Sequence, residues 1–223
     1  MTDIVIFGAE RAAEVAKVYI DAHGPDRVVG FTVDQAFLKS DTLQGLPVVA
    51  WERLESCFPP AQVKLLGPVS YRRLNELRKV RHLEGKQRGY GFASFIHPAS
   101  LVYASDIGEN CLILEGNVIQ PFAWIGKGVI IWSGSIIGHH AVIGDYCFLS
   151  SQVGVGAGAR LGERCFLGGK VGVDPGVQIG EASFLSSGAN VKGDLPAESL
   201  VRAHRDYATG HSSSLIRRLP GFR

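Results

Sequence analysis

The sequence predicts a small parallel α/β domain over residues 1–88, an all-β solenoid over residues 89–201 and a basic tail over residues 202–223. Two patterns predict the solenoid. Every sixth residue from Leu101 through Ile107, Ile113 and Ile119 to Val191 is Ile, Leu or Val, without an insertion. Two places before each lies a small side chain such as Ala99, Ser105, Cys111 or Ala123, with Asn117 the one departure. A period of six fits neither the 3.6 of a helix nor the 2 of a hairpin sheet, and it marks a hexapeptide β-solenoid. A third pattern, strand–glycine–helix–strand near the start, predicts the α/β domain.

The solenoid elements follow from a triangular coil. One bulky aliphatic per face fills the interior, and a small residue fits where the chain bends inward. Gly108, Gly126, Gly144, Gly162 and Gly180 recur eighteen residues apart, so three hexads make one coil. The expected reason for glycine at that corner is its tolerance of unusual backbone angles. Each coil buries its interior only against its neighbours.

Before the solenoid the grammar changes. Ile4–Phe7 is a short apolar strand run, Gly8 breaks it, and Glu10 to Ala22 reads as a helix with Ala12, Val15, Ala16, Tyr19 and Ile20 apolar. Strands are expected at Asp26–Val33, Pro47–Val49 and Val63–Leu66. A charged amphipathic helix is expected over Ser70–Arg88, with Leu74, Leu77 and Leu83 inward. This is a small Rossmann-like parallel sheet, whose open strand ends commonly bind nucleotides. The dinucleotide fingerprint is absent: Gly8-Ala9-Glu10-Arg11-Ala12-Ala13 keeps one glycine, which argues against NAD. The basic run Arg72, Arg73, Arg78, Lys79 and Arg81 reads as a solvated helix face.

Composition narrows the class. A net charge of +2 gives no case for nucleic acid. No apolar run is long enough for a membrane span, and the opening MTDIVIFGAE lacks signal-peptide features, so a cytoplasmic protein is expected. Cys111, Cys147 and Cys165 occupy small interior positions and read as core rather than disulfides or metal ligands. Of seven histidines, only His139 and His140 lie deep inside the array. Position alone leaves two readings: surface residues in a variable slot, or a rigidly held proton acceptor. A metal centre is not expected, because this adjacent pair diverges and no third histidine follows it.

The chain resembles the bacterial sugar acyltransferases of the sialic-acid O-acetyltransferase and nucleotide-amino-sugar N-acetyltransferase type. The resemblance runs from Ile4-Val5-Ile6-Phe7-Gly8-Ala9, through Phe95-Ile96-His97-Pro98-Ala99, to Asp194-Leu195-Pro196-Ala197. Its centre is Gly138-His139 followed by Val142-Ile143-Gly144-Asp145. The resemblance implies a left-handed β-helix, a homotrimer with active sites between subunits, and acetyl-CoA as co-substrate. It also implies His139 as the general base, and coenzyme A near Phe148, Gly168, Gly169 and Ser187. Gly168-Gly169 reads equally as a plain corner. A nucleotide sugar would meet Gly8 and Asp34 in the α/β domain, with Trp132 as an apolar wall beside the acceptor or as packing.

Departures from the family pattern matter. His140 stands where an acidic residue often follows the base; two adjacent imidazoles would repel if both were charged, so at most one is expected to be protonated near neutrality. Glu10-Arg11-Ala12 replaces the family's Ser-Gly-His-like turn. The basic tail ending in Phe222-Arg223 is expected either to wrap a neighbour, to meet the phosphates of coenzyme A, or to fray. Three functions stay open: N-acetylation of a nucleotide-linked amino sugar, O-acetylation of a sugar or sialic-acid hydroxyl, and a non-catalytic scaffold.

Overall fold

A computed structural model of the chain describes residues 1–203. The expectations for the tail beyond Ala203 lie outside the described residues. The α/β domain contains β1 (Asp3–Phe7), α1 (Arg11–His23), β2 (Arg27–Val33), β3 (Thr42–Leu43), β4 (Leu46–Ala50), α2 (Leu54–Cys57), β5 (Lys64–Leu66), α3 (Glu76–Gln87) and β6 (Gly91–Phe92). Strand order is β3-β4-β2-β1-β5-β6, parallel throughout except for the β3–β4 hairpin. The expected boundary at residue 88 falls short, because Gly91–Phe92 still pairs with β5.

Beyond it, two-residue strands stack into three parallel faces. Face I runs from Phe95–Ile96 to Leu200–Val201, face II from Leu101–Val102 to Asn190–Val191, and face III from Asp106–Ile107 to Gln178–Ile179. The interior is the expected aliphatic column, with Ile113, Ile119, Ile125, Ile131 and Ile137 fully buried. The small column also behaves as expected. The Cys111, Cys147 and Cys165 thiols lie 3.1–3.2 Å from corner carbonyls of the following turn, and burial pushes the Cys111 thiol up to about 12. Asn117 belongs to this column: its Nδ2 donates to the Leu114 carbonyl at 2.7 Å, and its Oδ1 accepts the Ser135 N–H at 2.8 Å.

Three further expectations need correction. Leu101 is not interior. It pairs with Val118 and is 57% exposed, whereas Val102 pairs with Ile119. Neighbouring strand residues face opposite ways, so in the first coil the core position moves one residue on. The corner glycines have a different reason from the one expected. A Cβ on Gly144 would lie 2.7 Å from Gly162 C and Leu161 O, and none of Gly108, Gly126, Gly144, Gly162 or Gly180 has a positive φ. Close approach of the next coil excludes a side chain there. The left-handed residue sits two places later, as in Asn110, Tyr146 and Arg164 (φ +58° to +62°).

The third correction concerns α3. It begins at Glu76 rather than Ser70, because Arg73, Leu74 and Asn75 adopt φ of +50° to +65°. Its buried residues are Arg78, His82 and Gly85, not Leu74, Leu77 and Leu83. The helix lies against the corner between faces III and I, which presents backbone carbonyls. Arg78, 1% exposed, donates to the carbonyls of Ser70, Tyr146 and Cys147, and Asn75 Nδ2 donates to those of Arg164 and Cys165. The basic run is therefore a solvated face only in part: Arg72 and Arg73 are exposed, whereas Arg78 is buried, Lys79 pairs with Glu163 at 2.7 Å, and Arg81 pairs with Asp34. Burial lowers the Arg78 guanidinium to about 10, still charged at neutral pH.

An apolar seam completes the junction. Outward residues of face I (Leu112, Ile130 and Phe148) share one buried cluster with Ile4, Ile6 and Phe31 of the α/β domain. The two units therefore pack as one body, and the sheet's strand ends are held against the solenoid.

Replacing Gly144 with Ala is expected to cost about 1–3 kcal/mol in urea denaturation. Gly193→Ala, where a Cβ meets nothing within 4 Å, should stay within about 0.5 kcal/mol of wild type. A second expectation concerns His82, which contacts Tyr146 Oη and Glu109 where α3 meets the corner between faces III and I. Burial lowers its pKa despite the carboxylate. The unfolded chain then takes up the proton more readily, so this contribution is complete above about pH 6.5 and lost as pH falls. His82→Gln should flatten the decline of the urea midpoint between neutral and acidic pH; an unchanged slope would contradict the assignment.

Candidate active site

Two separate features hold the candidate residues. The first is a cavity of about 810 Å³ at the carboxyl ends of β1 and β2. The chain leaves β1 through α1 to β2 on one side and returns through β5 on the other. That reversal opens a crevice at the strand ends, the usual ligand position in such sheets. Gly8 and Asp34 line it, as do the first turn of α1 and the loop Pro68–Arg72. Trp132 and Phe148 of the solenoid close its floor.

Each wall follows from the local chain. Gly8 has φ +139°, and a Cβ there would press on Ala13 Cβ at 3.3 Å, so the turn into α1 needs glycine. The opening turn of α1 has no side-chain cap, and its first N–H groups have no partner within the helix. Asp34 is held by Arg81, whose Nε and Nη2 lie 2.9 and 2.7 Å from Oδ1. Arg72 spans the mouth, 3.4 Å from Glu10 and with its guanidinium 4.5 Å above the Phe37 ring. Sequence alone did not point to Arg72 and Phe37 as cavity-lining residues, or to Arg81 as the partner of Asp34. Only the fold brings their three segments together.

The second feature is the histidine pair, at the corner between faces II and III. Both residues are exposed. The His139 backbone N–H donates to Gln120 Oε1 at 2.9 Å, and its carbonyl accepts the Gly158 N–H at 2.9 Å. These bonds tie it to the coils on either side. His140 takes the left-handed corner position with φ +59°. Its ring lies 4.8 Å from that of Phe122, and the two Nδ1 atoms are 3.0 Å apart, so the pair converges rather than diverging as expected. Gln120 was also missed. Its signal is its place one coil before Gly138.

The expected site residues thus divide. Gly8, Asp34, Trp132 and Phe148 gather in the cavity. Phe148 is buried under Tyr71 and stacked on Phe166, on a different face from His139. Gly168, Gly169 and Ser187 occupy the corner between faces I and II, as Trp132 does. A Cβ on Gly168 would meet Ser187 N at 2.4 Å, so local coil packing favours glycine there without a ligand. Within one chain, face II separates this corner from the histidines. Among the described residues no cluster of three or more His, Cys, Asp or Glu is placed to hold a metal, and no helix is long and apolar enough to cross a membrane.

Comparisons with known proteins agree with this architecture. The profile of the bacterial transferase hexapeptide (six repeats) matches residues 104–139 and 122–157. A search of curated proteins returns no match. Among solved structures, the acetyltransferase domain of PglB from Neisseria gonorrhoeae FA1090 is similar at 21% identity and a TM-score of 0.78, over 88% of this chain and 94% of that one. PerB from Caulobacter crescentus, in complex with CoA and GDP-perosamine, is similar at 24% identity and a TM-score of 0.71, over 90% and 93%. WeeI from Acinetobacter baumannii AYE is similar at 19% and 0.62, over 90% and 96%. Residues 104–157 therefore carry bacterial transferase hexapeptide repeats, set in a left-handed β-helix with an appended α/β domain.

Proposed function

We propose that the protein is an acetyl-CoA-dependent N-acetyltransferase acting on a nucleotide-linked amino sugar. The observation that carries this reading is a histidine fixed by adjacent coils on an exposed corner of a transferase-type solenoid. The strand-end cavity beside a capless helix N-terminus supports a nucleotide carrier there. The similar fold of PerB, which holds CoA and GDP-perosamine, supports both substrate classes. Four free cysteines suit a reducing, cytoplasmic setting.

The reaction is direct transfer. The sugar amine attacks the thioester carbonyl, forming a C–N bond, while its proton passes to His139. The tetrahedral oxyanion is met by a backbone N–H of the solenoid. It collapses with cleavage of the C–S bond, and the proton is handed from His139 to the leaving thiolate. Asp34 and Gly8 hold the nucleotide, and Trp132 walls the sugar. Gly168, Gly169 and Ser187 border the pantetheine arm. Phe148 serves the floor of the cavity.

The enzyme works as a homotrimer. Face II presents Leu101 and Ile136, each more than half exposed, beside Phe122 at 64%. Farther along, the outward positions are Gly154 and Gly172. An apolar face of this kind marks an interface. With face II turned to a threefold axis, the histidine corner of one copy meets the Trp132 corner and cavity of the next. This arrangement unites the two features that one chain keeps apart.

His139→Ala should reduce thiol release from acetyl-CoA by about 10²–10⁴-fold on the responding substrate among UDP-, dTDP- and GDP-linked amino sugars, with its melting temperature retained. Full activity in that variant would overturn the assignment; turnover only on sialic-acid hydroxyls would favour O-acetylation. Mixing inactive His139→Ala with inactive Asp34→Ala subunits should restore activity in mixed trimers. No recovery after confirmed subunit exchange would contradict a shared site.

A further inference from the structure

The contact between His139 Nδ1 and His140 Nδ1, at 3.0 Å, is a hydrogen bond only if one ring donates and the other accepts. Two neutral arrangements satisfy it. If His139 donates, its outward Nε2 keeps a free lone pair and His140 carries its proton on Nε2. If His140 donates, the roles exchange and His139 presents an N–H outward. Resting on the reading of His139 as base, we infer that His140 is a positioning residue that accepts from His139 Nδ1–H and so fixes the tautomer with Nε2 as the proton acceptor.

The surroundings favour a built contact. His140 is locked at φ +59°, its ring lies against Phe122, and its own N–H reaches the Pro121 carbonyl at 3.3 Å. The His139 backbone is fixed by Gln120 on one side and Gly158 on the other. Both rings are thus presented from anchored backbones. The adjoining corners, Gln120–Phe122 and Gly156–Gly158, contain no ionisable side chain. The ionisable groups of the neighbouring columns include Tyr103, Asp174 and Lys192 at this corner and Asp106 and Arg160 along face III. No carboxylate of those adjoining corners competes for the Nδ1 proton, and the neutral imidazole of His140 does the orienting.

The proton balance is complete. When His139 Nε2 takes the proton from the attacking amine, His139 becomes imidazolium. Its Nδ1–H bond to His140 becomes charge-assisted and stabilises the cation while it exists. Return of that proton to the thiolate restores the neutral pair. A second proton on His140 would place two cations in contact and break the bond.

The test uses the full chain. Nitrogen-15 spectra of histidine-labelled protein, with His139 assigned by loss of its signals in His139→Gln, should show a protonated Nδ1 and an unprotonated Nε2 at pH 8. His140→Gly accommodates the backbone angle and removes the acceptor; the His139 tautomer should become mixed. On the responding amino sugar, kcat should fall about tenfold with KM little changed, and the acid limb of the pH profile should move to lower pH. The substitution His140→Asn keeps an acceptor oxygen near the Nδ1 position and should restore most of the loss. A protonated His139 Nε2 in the wild type, or a His140→Gly variant with unchanged tautomer and pH profile, would overturn the inference. If His139→Ala remains active while the tautomer is as expected, the base assignment fails and the pair geometry stands.

Discussion

The tight stacking of one coil on the next is the constraint from which the rest of the molecule follows. Backbone-to-backbone pairing at roughly 4.8 Å leaves no room for a Cβ at one residue of each coil, at the corner between faces III and I. Glycine recurs there because the next coil's backbone is already in contact. A left-handed residue two places on then redirects the chain. The result is a prism with little freedom to shear, and any side chain on its corners inherits that rigidity. His139 is held in this way, by ladder and side-chain bonds to the coils before and after it.

The same prism positions the cavity. Face I supplies an apolar floor, and the corner carbonyls between faces III and I supply acceptors that α3 satisfies with Arg78 and Asn75. An arginine buried this completely is tolerable because carbonyls receive its donors; losing the acceptors would leave a charge stranded. The strand ends of the α/β domain are therefore fixed over Trp132 and Phe148. A cleft formed between two rigid units can select a ligand without a large ordering cost.

How much of this the sequence displayed depends on whether each feature is periodic. The aliphatic column, the small column and the eighteen-residue glycine spacing announce the solenoid, because each residue answers a repeated local demand. The strands and α1 of the first domain are legible from apolar runs and a glycine break. The helix α3 misleads, because its inward face is polar. A hydrophobic reading turns Leu83 inward, yet Leu83 is 45% exposed and His82 is buried. No local rule shows that a ring of carbonyls waits for Arg78. Leu101 misleads for a related reason: the first coil has no preceding coil to set its phase. At the site, His139 is legible as a histidine in an otherwise regular array. The convergence of Arg72 and Phe37 on the cavity, and of Arg81 on its wall residue Asp34, depends on the tertiary crossing of three segments.

The central claim is that a histidine from one copy and a strand-end cleft from the next act on a shared pair of substrates. A crystal structure of the assembled protein with coenzyme A and the responding nucleotide amino sugar tests it most directly. The account predicts the nucleotide over Gly8 and Asp34, with the sugar nitrogen and the coenzyme thiol both within hydrogen-bonding reach of His139 from the adjoining subunit. A monomer, or a trimer in which that imidazole faces bulk solvent with both ligands elsewhere, would contradict it.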